Sequence, residues 1–167
     1  MVRWECRDAQ GAPHGAVRVV LPLGEVLLEA SVDARGRLDG PARYRAAYQH
    51  IYEGLPEALA PEAAALALPG CDRVDATFRT GVPSGPLRCY RRGVLLISGQ
   101  LVAGRPDGEW RFADATGALV GRNVVHAGTG SWVHWDAEGR VVWSGRLRGT
   151  RWEALVARVT RAAQGSR

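Results

Sequence analysis

Few side chains in this sequence have types and spacings that could carry chemistry. His126, His134 and Asp136 are of metal-ligand type, and His134 and Asp136, two residues apart on an extended segment, would point the same way. Asp136, however, also opens a turn phrase, and His126 lies eight residues from His134 across a turn. No cysteine or glutamate completes a ligand set, so no metal is expected. Cys89 with a distant histidine would make a nucleophile pair, but nothing around it resembles a nucleophile elbow. Beside Tyr90 it reads better as a small core residue. Gly128-Thr129-Gly130 echoes a phosphate loop without the following helix that would supply an N-terminal dipole. Asp8, Asp33, Asp114 and Asp136 recur at turns too far apart for paired acid–base work. The sequence thus points to no catalytic residue, no cofactor and no metal, and a non-enzymatic protein is expected.

Composition narrows the classes further. All 22 basic residues are arginine. Without a lysine there is no Schiff-base amine, no P-loop lysine and no protein-kinase lysine. The net charge of +5 invites a nucleic-acid or anionic-membrane reading, yet the arginines are dispersed and no run exceeds Arg91-Arg92. The densest group is Arg140, Arg146, Arg148 and Arg151. No apolar run approaches the roughly 18 residues of a membrane helix; the longest, residues 58–68, is broken by Pro61 and Glu62. The opening residues have no apolar signal core, so a cytoplasmic location is expected, with Cys6, Cys71 and Cys89 reduced.

The elements that would position these residues announce themselves as a repeat. Trp4-Glu-Cys-Arg-Asp8-Ala-Gln-Gly11, Trp110-Arg-Phe-Ala-Asp114-Ala-Thr-Gly117 and Trp132-Val-His-Trp-Asp136-Ala-Glu-Gly139 share one spacing, and Asp33-Ala-Arg-Gly36 is a fourth copy without the tryptophan. Glycine pairs four apart (Gly11/Gly15, Gly36/Gly40, Gly81/Gly85, Gly104/Gly108) precede extended segments. Trp110 to Trp132 and Gly117 to Gly139 are each 22 residues apart. Asp-Ala-x-Gly is turn chemistry, because the carboxylate can accept amides two residues on and glycine adopts positive φ. Between turns the residues alternate as in strands: Val141, Trp143, Gly145 and Leu147 on one face, Arg140, Val142, Ser144, Arg146 and Arg148 on the other. The interior glycines Gly99, Gly121 and Gly145 are expected to leave room for a tryptophan ring from an adjacent strand.

These residues resemble the MORN-repeat variant family, whose units run glycine-x-x-x-glycine-x-tryptophan, an aromatic two residues later, then an acidic turn with glycine. Residues 104–125 match best (Gly104, Gly108, Trp110, Phe112, Asp114, Gly117), and residues 128–149 nearly as well, with a shortened glycine pair and His134 in the aromatic position. Residues 81–104 depart, with Leu87 for tryptophan and Arg91-Arg92 for the acidic turn. The resemblance implies consecutive antiparallel hairpins in one elongated sheet, and a bacterial, antitoxin-like protein that contacts other proteins.

The expected organisation is therefore a mainly β antiparallel hairpin-repeat meander in one domain. Irregular hairpins occupy residues 1–48, a helical insertion 49–70, regular repeats 71–149 and a capping helix 150–167. Within the insertion and its approach, Tyr44, Ala47, Tyr48, Ile51, Tyr52 and Leu55 fall on one helical stripe, although the tyrosines also fit a strand face. Thr150-Arg-Trp-Glu153 has the pattern of a capping box, followed by the stripe Trp152, Leu155, Val156 and Val159. That helix is expected over the end or open edge of the sheet. Trp132 and Trp135 have opposite parity, so in a regular strand one of them leaves the core. The expected function is binding or scaffolding of another protein, with a neighbouring gene product as first candidate. The expected partner-binding residues are Trp135, Arg140, Arg146, Arg148, Tyr48 and Tyr52. The alternative is arginine-mediated binding of nucleic acid or an anionic membrane surface.

Overall fold

A computed structural model describes residues 3–4, 15–20, 24–45, 66 and 68–165. Its strands are β1 (Arg3–Trp4), β2 (Gly15–Val20), β3 (Val26–Val32), β4 (Leu38–Arg45), β5 (Arg73–Arg79), β6 (Val82–Arg91), β7 (Val94–Val102), β8 (Arg105–Ala113) and β9 (Leu119–Val125). All nine pair antiparallel in sequence order in one meander sheet. The hairpin β10 (Gly130–Trp135) and β11 (Val141–Leu147) follows as a separate two-stranded ladder, and the helix α1 (Trp152–Gly165) ends the described chain. The mainly β meander and the C-terminal helix thus stand as the sequence predicts. The two repeat blocks are continuous, because β4 pairs directly with β5 from Gly40↔Phe78 to Arg45↔Arg73.

The turn chemistry is realised at every described copy of the phrase. Asp33 Oδ1 accepts the amides of Arg35 and Arg37, Asp114 Oδ1 those of Thr116 and Ala118, and Asp136 Oδ1 those of Glu138 and Arg140. Each carboxylate thereby replaces backbone partners that a tight turn cannot supply. Four other connections are two-residue turns in which even the first residue has positive φ: Thr80-Gly81, Arg92-Gly93, Ala103-Gly104 and Ala127-Gly128. That pair of conformations matches the twist of the flanking strands.

One sheet face forms the core. Val19, Leu28, Tyr44, Val74, Cys89, Ile97 and Phe112 are all buried and stand opposite one another across the ladders. Tyr44 is therefore a strand residue, because β4 continues its pairing through Arg45; the helical stripe read from Tyr44 does not start there. The helical insertion itself falls on residues outside those described, apart from its end, where Leu66 and Leu68 are buried and Gly70 takes φ 84°. Cys71 and Cys89 form a disulfide. This corrects the expectation of reduced thiols: 18 residues separate them, but β5 pairs with β6 and the Asp72 amide donates to Tyr90 O, which brings the two cysteines together. Cys6 lies outside the described residues.

The helix packs on the core face through Trp152, Leu155, Val156 and Val159, all buried. Trp152 stacks on Trp110 at 4.9 Å between ring centroids, and Trp132 meets Trp110 edge-on at 5.2 Å. The helix covers the face through this stack, rather than capping the open edge. The capping box does not form. Thr150 Oγ1 accepts the Arg148 amide, Glu153 pairs with Arg151 at 3.7 Å, and the Trp152 amide donates to Gly104 O. The helix start is thus held by the preceding repeat, which satisfies an amide that a cap would otherwise take.

Candidate functional site

The alternation that buries one face exposes the other, and the ladder registers place its side chains in rows. The central row runs Arg18↔Glu29↔Arg43↔Asp75↔Arg88↔Ser98↔Arg111↔Arg122 across β2 to β9. Its first half alternates in sign and neutralises itself: Arg18 pairs with Glu29 at 3.1 Å, and Arg43 with Asp75 at 3.1 Å. Its second half does not. Arg88, Arg111 and Arg122 meet one carboxylate on that stretch, Glu109, which pairs with Arg111. The Arg111 guanidinium holds the Glu109 carboxyl below its ordinary value, mainly by that hydrogen bond.

The same stretch is also the apolar part of the outer face. Leu95, Val102, Leu119 and Val124 are exposed at 39%, 46%, 61% and 72%. All four share the side of Arg88, Arg111 and Arg122: Leu95 pairs with the outward Tyr90, Leu119 with Ala113, and Val124 with Glu109. Strand polarity, with Trp110, Phe112, Asn123 and Val125 turned to the core, fixes this. Arg73 lies over the Tyr90 ring at 3.8 Å, extending the face toward β5. A large apolar side chain left in water on four registers of one sheet face is the composition of an interface core, and arginine beside it is the usual hot-spot companion.

The residues singled out from the sequence fare unevenly. Arg146 and Arg148 are exposed on β11 and just beyond it. Arg140 is exposed but engaged, its Nε 2.8 Å from Asp136 Oδ2 and its Nη2 3.3 Å from Glu138. Trp135 is not an outward residue. Trp132, His134 and Trp135 all reach the core side, their rings 5.7, 5.2 and 5.2 Å from that of Phe112. The β10–β11 ladder is irregular there, with Val142 of β11 as an extra residue between the His134↔Trp143 and Trp135↔Val141 pairs, and parity reasoning assumed a regular ladder. Tyr48 and Tyr52 lie outside the described residues.

Nor does the structure assemble the candidate ligand trio. His126 is solvent-exposed and pairs with Asp107 at 3.1 Å, while His134 is 4% exposed. Burial pushes the His134 pKa down to about 4, against a weaker upward pull from Asp136. Burial alone would raise the Asp136 carboxyl, but hydrogen bonds from Arg140 and Glu138 hold it below its ordinary value, as a turn residue. Cys89, buried and joined to Cys71, offers no thiolate.

Interior glycines behave as expected at two of three positions. A Cβ on Gly99 would overlap the Trp110 ring, and one on Gly121 the Trp135 ring, each from a neighbouring strand; at Gly145 the obstructing ring is Trp143 of the same strand. Sequence reasoning missed a set of braces. In three of the pairs the residue before the second glycine (Asp39, Ser84, Asp107) accepts the amide of Thr80, Ala103 and Ala127 respectively, the first residue of the next turn along. The repeated position was the signal. Comparison with protein-family models, curated proteins and solved structures finds no match.

Proposed function

We propose that the chain is a non-enzymatic protein-binding module that engages its partner through the outer face of β7 to β9. The single observation that carries this reading is the coincidence of Leu95, Val102, Leu119 and Val124, all solvent-exposed, with Arg88, Arg111 and Arg122 on one rigid sheet face. The partner this chemistry suits presents apolar side chains among carboxylates. Such a surface fits the protein-contacting, antitoxin-like role that the MORN-variant resemblance implies, with a neighbouring gene product as first candidate.

The test compares partners captured by the intact protein with those captured by Leu119→Glu/Val124→Glu, which leaves the core untouched. Loss of a hot-spot contact of about 2 kcal/mol weakens binding roughly 30-fold. A protein held by the wild type and lost by the variant supports the reading; equal capture by both refutes it. The unbalanced arginines favour a second reading, binding of an anionic polymer or membrane. It predicts affinity for DNA, RNA or anionic vesicles that falls steeply between about 50 and 200 mM salt and drops further in Arg88→Gln/Arg122→Gln.

A further inference from the structure

On the opposite, core side of the sheet lies a cavity of about 520 Å³. Its wall includes Ile97 of β7, His134 and Trp135 of β10, Val142 of β11, and Val159 and Ala163 of α1. We propose that this cavity binds an uncharged, mostly apolar small molecule bearing one hydroxyl or comparable hydrogen-bonding group, seated with that group at His134.

Four observations converge on this assignment. The volume falls within the roughly 300–1,000 Å³ of ligand pockets. Arg91, Asp136, Glu138 and Arg140 form a charged margin, Ile97, Trp135, Val142, Val159 and Ala163 supply the apolar wall, and His134 is the buried polar side chain among them. That group is unusual. The His134 imidazole is 4% exposed, and its Nδ1 has no hydrogen-bond partner. Buried polar atoms are nearly always satisfied, so an orphaned nitrogen beside a cavity marks a place for a ligand's hydrogen-bonding group.

The local backbone is also shaped for it. The β10–β11 ladder slips opposite His134 and Trp135, with Val142 of β11 as the extra residue; His134, Trp135 and Val142 all line the cavity, and bulges of this kind serve to re-aim side chains at sites. Finally, the charges at the margin are occupied with each other. Arg140 pairs with Asp136 at 2.8 Å and with Glu138 at 3.3 Å, and Arg91 with Glu138 at 3.6 Å. An ionic ligand would find no spare counter-charge, whereas a neutral one needs none.

Isothermal titration calorimetry of the full chain with 1-octanol and with octanoate tests the proposal. The expected result is saturable 1:1 binding of 1-octanol, at least tenfold weaker binding of octanoate, and at least tenfold loss of octanol affinity in Ala163→Phe, which fills the cavity from the helix. His134→Phe keeps the ring and removes the nitrogens, and is expected to weaken octanol at least fivefold. Should Ala163→Phe not fold, Val142→Phe fills the space from the hairpin. No saturable binding of octanol by the folded wild type overturns the site, as does unchanged affinity in the filled variant. Octanoate binding as well as octanol overturns the neutral-ligand assignment, and unchanged affinity in His134→Phe overturns the seating. None of these substitutions touches the outer face of β7 to β9, so the outcome is independent of partner capture.

Discussion

Lowering the pH should destabilise this protein through one residue before its carboxylates respond. His134 is buried and neutral in the folded state, with its pKa pushed to about 4, whereas an unfolded histidine titrates near 6.5. As pH falls below about 6.5 the unfolded chain takes up a proton that the folded chain refuses, so stability falls. The loss is complete only below about 4, where both states are protonated. The full gap corresponds to about 3 kcal/mol, and the part developed between pH 7.5 and 5 to about 2 kcal/mol. Asp33, Asp114, Asp136 and Glu109, whose values are lowered by hydrogen bonds from neighbouring amides and side chains, act with the opposite sign. Their stabilisation is present above the ordinary carboxylate range and is lost only as pH falls below it. The window from 7.5 to 5 therefore isolates histidine.

The assay is urea unfolding followed by tryptophan fluorescence at half-unit pH steps, for the wild type and for His134→Phe. Phenylalanine preserves the edge-on packing against Phe112, at 5.2 Å in the native protein, and cannot titrate. Subtracting the two curves removes the contribution of every other group. The wild type should lose about 2 kcal/mol relative to the variant across the window. Parallel curves would refute the reasoning, because they would mean that His134 is solvated or already satisfied in the folded protein.

Three further outcomes are expected. Gly99→Val forces a side chain into the space of the Trp110 ring and should cost about 1–3 kcal/mol in chemical unfolding, as overpacking does; a neutral result would show that the ring is free to move. Asn123→Ala removes the side chain that accepts the Val133 amide at 3.0 Å and donates to the Val133 carbonyl at 2.8 Å. It should cost about 2 kcal/mol and accelerate exchange of the Val133 amide, and unchanged protection there counts against the brace. Reducing the Cys71–Cys89 bond, which closes an 18-residue separation, should lower stability by about 3 kcal/mol on the chain-entropy account, or roughly 6–12 °C in Tm. A melting curve insensitive to reductant, with both thiols shown free, would contradict it.

The parts of the fold legible in the sequence are those governed by short-range rules. Asp-x-x-Gly turns and two-residue alternation act within a few residues, and their recurrence at 22 residues exposes each two-strand unit. What escaped depends on register between distant segments. Cys71 meets Cys89 only because β5 lies beside β6 in one alignment. Tyr44 reads equally as helix or strand until β5 pairs with it. Thr150 carries a capping signature, yet its surroundings are set by Gly128 and Gly104, two turns that no local pattern connects to it. Of the expected partner-binding residues, Trp135 packs inward on Phe112 at a point where the β10–β11 ladder is irregular, which residue parity cannot reveal. The outer patch on β7 to β9 was missed because it consists of ordinary valines and leucines, which acquire meaning only when three strands align them.

The division between the regular sheet and its irregular end has a physical logic. From β2 to β9 each strand is fully laddered, which makes a stiff platform suited to presenting a fixed surface. Between β9 and β10 the ladder gives way. The two are joined by the His126 and Thr129 backbone bonds at the turn, by the Asn123 side chain in the middle, and by the Ala115 amide on Ala137 O at the far end. The Trp135 ring stands over Gly121 on the core face, and the cavity lined by His134 and Trp135, bordered by α1, lies at this irregular end. Repetition thus supplies the outward face, and its interruption supplies the interior site.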